Sequence, residues 1–443
     1  MTDARHAQVA AGLATALLAG PWDATAMTSR LRAALGRTRA PKWARTLAEQ
    51  VLEAYRDPPL DRPRELAAYL QTRPAWALAW QASRPPKVVH WTPTPTTITR
   101  APWPVARLPD LGALCRMLDV DAGELAWFAD VRSLERRSSE PLRHYRWRAL
   151  PKGDGVRLVA APKPRLKEIQ RRLLRHVLDP IPVHPAARGC VRGESVRTAV
   201  LPHVASTVVI RMDLETFFAA ITAARVWGVL FAAGLPEAVA HTITGLCTTV
   251  VPLPVWRTVP VPRDREAHHR LGVRLAAPHL PQGAPTSPAL ANLVAFTLDR
   301  RLAGLAERFG ARYTRYVDDL TFSGGPSLRA VRSRFVELAT QIVRAEGLAV
   351  NERKTVVLGA SGRQQVLGAV LNDHPTLPRR ERDALRALLH NCAVHGWESQ
   401  SRGRPNFRDY VLGRISWATA LDPVFGAKLR AAFNAIPPAF PTH

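Results

Sequence analysis

Apolar residues recur every three to four positions through most of the first 82 residues, and Leu47, Val51 and Tyr55 fall on one side of such a pattern. This spacing is typical of amphipathic helices. Residues 1–82 are therefore predicted to form a helical N-terminal extension. Six prolines follow within residues 83–105. Because proline removes a backbone donor and disfavours helix before it, this segment is predicted to be an extended linker.

The pattern changes again after residue 106. Helical spacing of leucines resumes up to about residue 136, and short runs of β-branched residues then alternate with helical segments, as at 156–160 and 207–212. Residues 287–309 are predicted to form one long helix, with Ser287 as its N-cap and Pro288 at its first position. The chain after residue 376 has helical spacing again. The sequence thus predicts an α+β region over 106–376, followed by a helical region over 377–443.

The charge balance points to a polyanionic partner. The 443 residues include 62 Lys and Arg against 36 Asp and Glu, which gives a formal charge of +26. Such an excess favours binding to phosphate backbones through counterion release. The sequence contains no uninterrupted apolar run long enough to span a bilayer, and the apolar stretch at residues 11–20 is not preceded by a strongly basic region. We therefore expect a cytoplasmic protein with no membrane partner.

The four cysteines lie far apart and form no Cys-x-x-Cys pair, so neither a zinc site nor a disulfide framework is indicated. Carboxylates are the stronger candidates for chemistry. A buried strand at 208–213 ends on Asp213, and Asp318 and Asp319 are predicted to lie at a hairpin turn. Adjacent carboxylates repel each other unless a cation lies between them. Oxygen ligands suit Mg²⁺, and two such ions about 4 Å apart can promote an in-line displacement at phosphorus.

The motifs around these carboxylates resemble the palm of reverse transcriptases. Asp213 opens the run Asp-Leu-Glu-Thr-Phe-Phe, and residues 316–319 read Tyr-Val-Asp-Asp. The resemblance implies a right-hand polymerase fold with fingers, a palm whose antiparallel sheet carries the carboxylates, and a helical thumb over 377–443. It further implies that Asp213, Asp318 and Asp319, with the backbone carbonyl of Leu214, bind two Mg²⁺ ions during RNA-directed DNA synthesis.

The same resemblance assigns residues to the pocket of the incoming nucleotide. Phe218 falls at the steric-gate position, although a core aromatic is the alternative interpretation. Gln282 and Gly283 belong to a Leu-Pro-Gln-Gly segment that lines this pocket in the family. Glycine allows close backbone approach, and glutamine offers both a donor and an acceptor.

Three cations complete the predicted site. Residues 152–157 are predicted to form a fingertip β-hairpin whose Lys152 and Arg157 hold the triphosphate, because a guanidinium can bind phosphate through two donors. Lys354 lies in residues 347–355, which resemble the palm segment whose lysine can protonate the leaving pyrophosphate. A solvated surface lysine remains the alternative for this residue.

Residues 127–130 and 161–170 look most similar to bacterial retron reverse transcriptases. The family's Asn-Ala and His signature appears as Thr198, Ala199 and His203, and its Val-Thr-Gly motif as Val-Leu-Gly at 366–368. These two departures bear on how the thumb recognises its own RNA. The retron resemblance implies a cognate structured noncoding RNA that is both template and primer, deoxynucleotide triphosphates as substrates, and RNA-linked single-stranded DNA (msDNA) as product. It also implies a role in antiphage defence with an effector protein encoded nearby.

Other readings stay open at this point. The chain could be a defence-associated or group II intron-like reverse transcriptase, or a non-catalytic RNA-binding protein that kept a polymerase fold. Asp264, His268 and His269 could suggest a metal site, but their Pro- and Arg-rich surroundings favour a solvated loop. In the basic C-terminal region, three aromatic residues are candidates for stacking on RNA, namely Trp397, Tyr410 and Trp417. For Trp417, a place in the core of the thumb is an equal alternative.

Overall fold

The structure is a computed structural model that describes residues 2–60, 62–92, 101–130, 133–152 and 155–437, without the side chains of residues 2–4 and Lys152. The helices, in chain order, are α1 (Thr2–Leu18), α2 (Ala24–Ala34), α3 (Lys42–Ala54), α4 (Pro63–Gln71), α5 (Pro74–Gln81), α6 (Leu111–Leu118), α7 (Ala122–Phe128), α8 (Pro164–Leu173), α9 (Val196–Val200), α10 (Phe217–Ala220), α11 (Ala223–Ala232), α12 (Glu237–Cys247), α13 (Leu253–Arg257), α14 (Arg265–Leu275), α15 (Ser287–Val294), α16 (Phe296–Arg308), α17 (Pro326–Ala330), α18 (Arg332–Ala345), α19 (Arg379–Ser401), α20 (Phe407–Leu421) and α21 (Pro423–Asn434). The strands are β1 (Tyr145–Lys152), β2 (Gly155–Pro162), β3 (Val208–Asp213), β4 (Arg312–Tyr316), β5 (Asp319–Gly324), β6 (Val356–Gly359), β7 (Gln365–Val366) and β8 (Ala369–Val370).

The chain divides into two compact units. The first unit comprises Met1–Tyr145, Pro162–Ile181 and Ala223–Thr248, and the second comprises the remaining three segments, Arg146–Ala161, Pro182–Thr222 and Thr249–His443. The four sequence-based segments with boundaries at residues 82, 105 and 376 stay predictions.

Helices α1 to α5 have a hydrophobic core of their own inside the first unit. Leu13, Leu31, Leu47 and Leu66 are fully buried there. Local sequence fixes the helix starts, since the Asp23 side chain accepts a hydrogen bond from the first turn of α2, and prolines begin α4 and α5. Residues 93–100 of the predicted linker lie outside the described part of the chain.

A four-stranded antiparallel sheet forms the centre of the second unit, with strand order β4-β5-β3-β6. Its β3 is an inner strand, paired with both β5 and β6, and Val208, Val209 and Ile210 are buried. Helices α16 and α18 pack on each other, and Phe335 of α18 meets the ring of Phe322 in β5. This sheet has the antiparallel topology predicted for the palm.

The predicted fingertip hairpin corresponds to strands β1 and β2, which form a separate two-stranded sheet. Gly153 and Asp154 of its predicted turn are outside the described residues, as is the side chain of Lys152.

The single long helix predicted over residues 287–309 is wrong. The segment forms two helices, α15 and α16, that meet at Ala295, whose φ of −79° and ψ of 2° depart from helical values. The predicted N-cap is also wrong: Thr286 occupies the cap position, and the Ser287 hydroxyl instead donates to the carbonyl of Pro281 at 2.7 Å. The hydrogen bond of Ser287 explains why it does not cap the helix.

The C-terminal helices α19, α20 and α21 share a core with the end of the palm, in which Val366, Leu385, Ile415 and Leu429 are buried. Trp397 is only 5% exposed, and its indole donates to the carbonyl of Pro437, so its prediction as an RNA-stacking residue is wrong. Tyr410 and Trp417 are each 38% exposed. Among the described helices, none combines the length and the apolar character needed to cross a membrane.

Candidate active site

The palm sheet brings the three predicted carboxylates to one end. Asp213, the last residue of β3, stands opposite Asp319, the first residue of β5. The backbone carbonyl of Asp318 accepts a hydrogen bond from the amide of Leu214 at 2.9 Å. The sequence prediction placed both Asp318 and Asp319 in the turn, whereas Asp319 already belongs to the strand, which fixes its backbone through the sheet.

The electrostatics of this cluster show mutual repulsion. Burial raises the pKa of Asp319 to about 6, and the negative charges of Asp318 and Asp213 act in the same direction. Arg211 and Lys354 oppose that shift through their positive charge. The Lys354 ammonium lies 2.8 Å from Oδ1 of Asp213. The cluster is therefore short of positive charge, and a side-chain cation already compensates one of its carboxylates.

The donor set fits a hard divalent cation, since carboxylate oxygens are the preferred ligands of Mg²⁺. Within the described residues, no three His, Cys, Asp or Glu side chains are grouped closely enough to form a ready metal site. The Lys354 ammonium is hydrogen-bonded to Oδ1 of Asp213, so a metal ion that used this oxygen would have to displace it.

A cavity of about 610 Å³ opens beside the carboxylates. Its lining includes Asp213, Asp318, Phe218, Gln282 and Arg157. Lys354 lines the same cavity from the 3₁₀ turn Glu352–Lys354. The structure thus brings together most of the residues that the sequence singled out, across more than 190 positions of the chain.

Gly283 follows the cavity residue Gln282 and packs closely against strand β2. Its φ is +128°, and a Cβ placed on it would lie 2.9 Å from the carbonyl oxygen of Ala160. The amide of Ala160 in turn donates to the carbonyl of Gln282 at 2.8 Å. Only glycine fits so close to strand β2, so Gly283 allows the segment that carries Gln282 to pack against the strand that carries Arg157.

Helix α14 forms a wall of the cavity that the sequence did not predict. The residues around His268 and His269 form this helix, and the expectation of a solvated loop is wrong. Asp264 caps it by accepting from the amide of Ala267, and His268 stacks on Trp256 with ring centroids 4.4 Å apart. The Asp264 carboxylate also lies 3.5 Å from the guanidinium of Arg353. The capping Asp264, with Glu266 in the first turn, was a sequence signal for this helix.

The C-terminal end of α14 contacts Thr216, which precedes α10, the helix that carries the proposed steric-gate residue Phe218. Arg274 donates to the Thr216 hydroxyl, and Thr216 has a left-handed φ of +48° immediately before α10. Because α10 carries Phe217 and Phe218, this contact fixes the backbone from which the Phe218 ring enters the cavity.

Comparison with known proteins agrees with this geometry. A model of the family described as "Reverse transcriptase (RNA-dependent DNA polymerase)" matches residues 150–371. The chain is 42% identical over 310 residues to the retron Mx65 reverse transcriptase of Myxococcus xanthus, covering 69% of this chain and 67% of that protein. It is 37% identical to the retron Mx162 reverse transcriptase of the same organism, covering 71% of this chain and 64% of that protein. The chain thus spans about two thirds of the length of these relatives.

More distant relatives show the same family. The retron Ec86 reverse transcriptase of Escherichia coli is 29% identical over 268 residues, covering 60% of this chain and 72% of that protein. Among solved structures, a telomerase from Candida tropicalis in complex with a fragment of telomeric RNA aligns with a TM-score of 0.32 and 11% identity over 65% of this chain and 54% of that one. Taken with the palm sheet and its motifs, the matched family model and these relatives show that the chain belongs to the reverse transcriptases and is an RNA-directed DNA polymerase of the bacterial retron type.

Proposed function

We propose that this reverse transcriptase copies one cognate structured noncoding RNA, which serves as both template and primer, into RNA-linked single-stranded DNA. The observation that carries the proposal is that Asp213, Asp318 and Asp319 lie at one end of the palm sheet. There Asp213 and Asp318 line a cavity that Phe218 and Arg157 also line, in a chain similar to several retron reverse transcriptases. Initiation would use a 2′-hydroxyl of an internal guanosine of that RNA.

Reverse transcriptases generally use divalent metal ions, and the carboxylate donors of this chain fit them. We propose that Asp213, Asp318 and Asp319, with the backbone carbonyl of Leu214, hold two Mg²⁺ ions. When bound, the ions would supply activation of the attacking hydroxyl and stabilisation of the charge on the departing pyrophosphate. The raised pKa of Asp319 supports this assignment, because it comes first from burial and then from repulsion by Asp318 and Asp213, and a bound cation would offset both.

The remaining pocket residues would select and orient the nucleotide. The guanidinium of Arg157 binds the triphosphate through two donors, with Lys152 as a second cation on the other limb of the hairpin. The ring of Phe218 occupies the space that a ribose 2′-hydroxyl would need. Gln282 presents its side chain to the sugar or base, while Gly283 lets its backbone lie against strand β2.

Lys354 is the proposed proton donor. Its ammonium lines the same cavity and lies 2.8 Å from Asp213. A proton delivered from this position to the leaving pyrophosphate would neutralise charge as the bond to the α-phosphorus breaks. Proximity of the lysine to a metal-binding carboxylate supports this role over that of a solvated surface lysine.

The other partners follow from the retron proposal. The helical region 377–443 would act as the thumb that holds the RNA, with the exposed Tyr410 and Trp417 as stacking groups. The region 106–376 would form fingers and palm, the region 1–82 a helical extension, and 83–105 a linker. The biological role would be antiphage defence together with an effector protein, in the cytoplasm.

The nucleic acid that co-purifies with the protein tests the proposal. The chain would be expressed with its native flanking DNA, and the bound nucleic acid treated with RNase and run on a denaturing gel beside that from Asp318→Asn. We expect a discrete small DNA only with the unaltered enzyme, migrating faster after RNase or debranching. Absence of that DNA from an enzyme that extends a supplied primer on RNA would contradict self-priming and point to another reverse transcriptase lineage.

A further inference from the structure

The turn that presents Asp318 has an unfavourable backbone. Strands β4 and β5 pair Tyr316 with Asp319, which leaves a loop of two residues. The first of them, Val317, has a φ of +59°. Two-residue hairpins prefer glycine or asparagine where φ is positive, and a β-branched residue is disfavoured there. Contacts from outside the turn must therefore hold Val317 in this conformation.

A fully buried arginine makes the first of these contacts. Arg315 is 0% exposed, and its Nη1 donates to the backbone carbonyl of Val317 at 3.0 Å. Its Nε and Nη2 bind both carboxylate oxygens of Asp299, at 2.8 and 2.6 Å. This bidentate pair fixes the plane of the guanidinium, so the direction of Nη1 towards the turn is fixed as well.

An asparagine and a glycine make the second contact. Asn292, 2% exposed, accepts from Arg315 Nη1 at 2.9 Å and donates to the carbonyl of Gly189 at 2.9 Å. Gly189 lies directly against the turn, because a Cβ built on it would be 2.6 Å from the amide nitrogen of Val317 and 3.0 Å from the carbonyl carbon of Tyr316. The turn is thus held on one side by a hydrogen bond and on the other by close packing.

We propose that Arg315, Asn292 and Gly189 form a positioning clamp that fixes the Val317 turn and thereby sets where the Asp318 carboxylate stands for metal binding. None of the three residues lines the cavity, so they act through the turn and not on the nucleotide. The inference rests on the proposed function, in which Asp318 binds metal. A displacement of about 1 Å in a reacting group can cost roughly a hundredfold in rate, so holding the turn has a direct catalytic consequence.

The alternative is that Arg315 serves only as the core partner of Asp299. Tyr313 provides the matched control, because its hydroxyl donates to Oδ1 of the same Asp299 at 2.8 Å and interacts with Arg315, but is not hydrogen-bonded to the turn. Tyr313→Phe therefore weakens the buried Asp299–Arg315 cluster and leaves the hydrogen bond from Arg315 to Val317 in place. Arg315→Lys keeps the charge beside Asp299, but a single ammonium cannot reproduce the fork that also reaches Asn292 and Val317.

The experiment compares these two variants in the full-length enzyme. For Arg315→Lys we expect roughly a tenfold or larger fall in the single-turnover extension rate, and several-fold weaker Mn²⁺ binding measured by electron paramagnetic resonance without substrate. The KM for the deoxynucleotide should change little. Tyr313→Phe should lower Tm while keeping the rate and the Mn²⁺ affinity of the unaltered enzyme. Equal rates and equal Mn²⁺ affinities in both variants would overturn the clamp.

A second pair of variants covers the case in which Arg315→Lys does not fold. Gly189→Ala places a methyl group against the Val317 amide, whereas Gly325→Ala, beyond the other end of β5, meets nothing within 4 Å. We expect the first variant to reproduce the loss of rate and of Mn²⁺ affinity, and the second to match the unaltered enzyme. Unchanged Mn²⁺ affinity in Gly189→Ala would contradict the clamp.

The Asp318→Asn variant distinguishes failure of the clamp from failure of the proposed active site. An inactive Asp318→Asn together with a normal Arg315→Lys and a normal Gly189→Ala would remove the clamp and keep the proposed active site. An active Asp318→Asn would remove the proposed active site itself, whatever the clamp variants did.

Discussion

Phe218 is the residue with the most specific proposed consequence for substrate choice. Its ring lines the cavity, and the backbone beneath it is held by the contact between Arg274 and Thr216. For Phe218→Ala we expect easier incorporation of ribonucleotides, by roughly one to two orders of magnitude relative to deoxynucleotides, because the space for a 2′-hydroxyl opens. The measurement is the ratio of kcat/KM for the two nucleotides on one RNA template. An unchanged ratio would make Phe218 a core aromatic.

The buried side chain of His203 should make the free energy of unfolding depend on pH. Both of its ring nitrogens lie 2.8 Å from hydroxyls, Ser323 Oγ and Thr314 Oγ1, and burial, reinforced by the charge of Arg312, lowers its pKa to about 3. Between pH 6.5 and 3 the unfolded chain binds a proton that the folded chain excludes. Stability should therefore fall with decreasing pH, by about 1.4 kcal/mol per pH unit from this group.

Denaturant unfolding at several pH values checks this expectation. The difference in free energy of unfolding between the unaltered protein and His203→Gln should shrink as the pH falls below 6.5. His395→Gln, which removes an exposed histidine, is the control variant. A difference that stays constant with pH would show that His203 is not held neutral by the fold.

Single residues also show which parts of the site a sequence can reveal. Asp213, Phe218 and Gln282 stand in short motifs, so their local spacing was enough to nominate them. The contacts of Arg315 were not predictable in this way. Its partners lie in α15, in α16 and in the turn, and the positive φ of Val317 contradicts the local preference of valine. Such contacts exist only after the chain has folded.

At the scale of elements, the packing of α12 against the end of α7 gives a test. A Cβ on Gly245 of α12 would collide with the carbonyl oxygen of Ala129, whereas a Cβ on Gly228 of α11 meets nothing within 4 Å. Gly245→Ala should therefore destabilise the protein by about 1–3 kcal/mol, through overpacking. Gly228→Ala should stabilise it by about 0.5–1 kcal/mol, because alanine favours helix.

Urea unfolding of the two glycine variants makes this comparison directly. Both substitutions add the same methyl group to a helix, so intrinsic helix propensity contributes equally to each. Stabilisation of similar size in both variants would mean that α12 and α7 do not approach as closely as described.

Helices and strands were predictable where one spacing of apolar residues continued without interruption. The strand that ends on Asp213 and the hairpin of β4 and β5 followed from short β runs around the carboxylates. The break at Ala295 was not predictable, because no proline or glycine marks it and both helices continue the same apolar spacing. Helix α14 was missed since the prolines before it and its own arginines outweighed its N-cap signal.

At the scale of the whole molecule, the formal charge of +26 predicts how binding responds to salt. If about six phosphates are neutralised, the affinity for structured RNA should fall roughly a thousandfold between 50 and 200 mM salt. Fluorescence anisotropy with a labelled RNA measures the slope of log Kd against log salt. A nearly flat slope would indicate that the basic residues do not contact the nucleic acid.

The division into four segments stays a prediction from the changes in composition along the chain, from helical to proline-rich to mixed and back to helical. The division into two compact units was not predictable, since three separate segments make up each unit. A sequence read from one end to the other does not show that residues 223–248 return to the unit that contains the N-terminal helices. Only long-range packing determines that arrangement.

The most direct test of the proposed two-metal site is single-turnover extension of a DNA primer on an RNA template with Mg²⁺ and deoxynucleotides. Asp318→Asn keeps the size of the side chain but removes its charge, and Asp373→Asn makes the same change at an exposed position as a control. We expect a fall of roughly a thousandfold or more for Asp318→Asn and an unchanged rate for Asp373→Asn. Extension by Asp318→Asn at the rate of the unaltered enzyme would contradict catalysis by this carboxylate cluster.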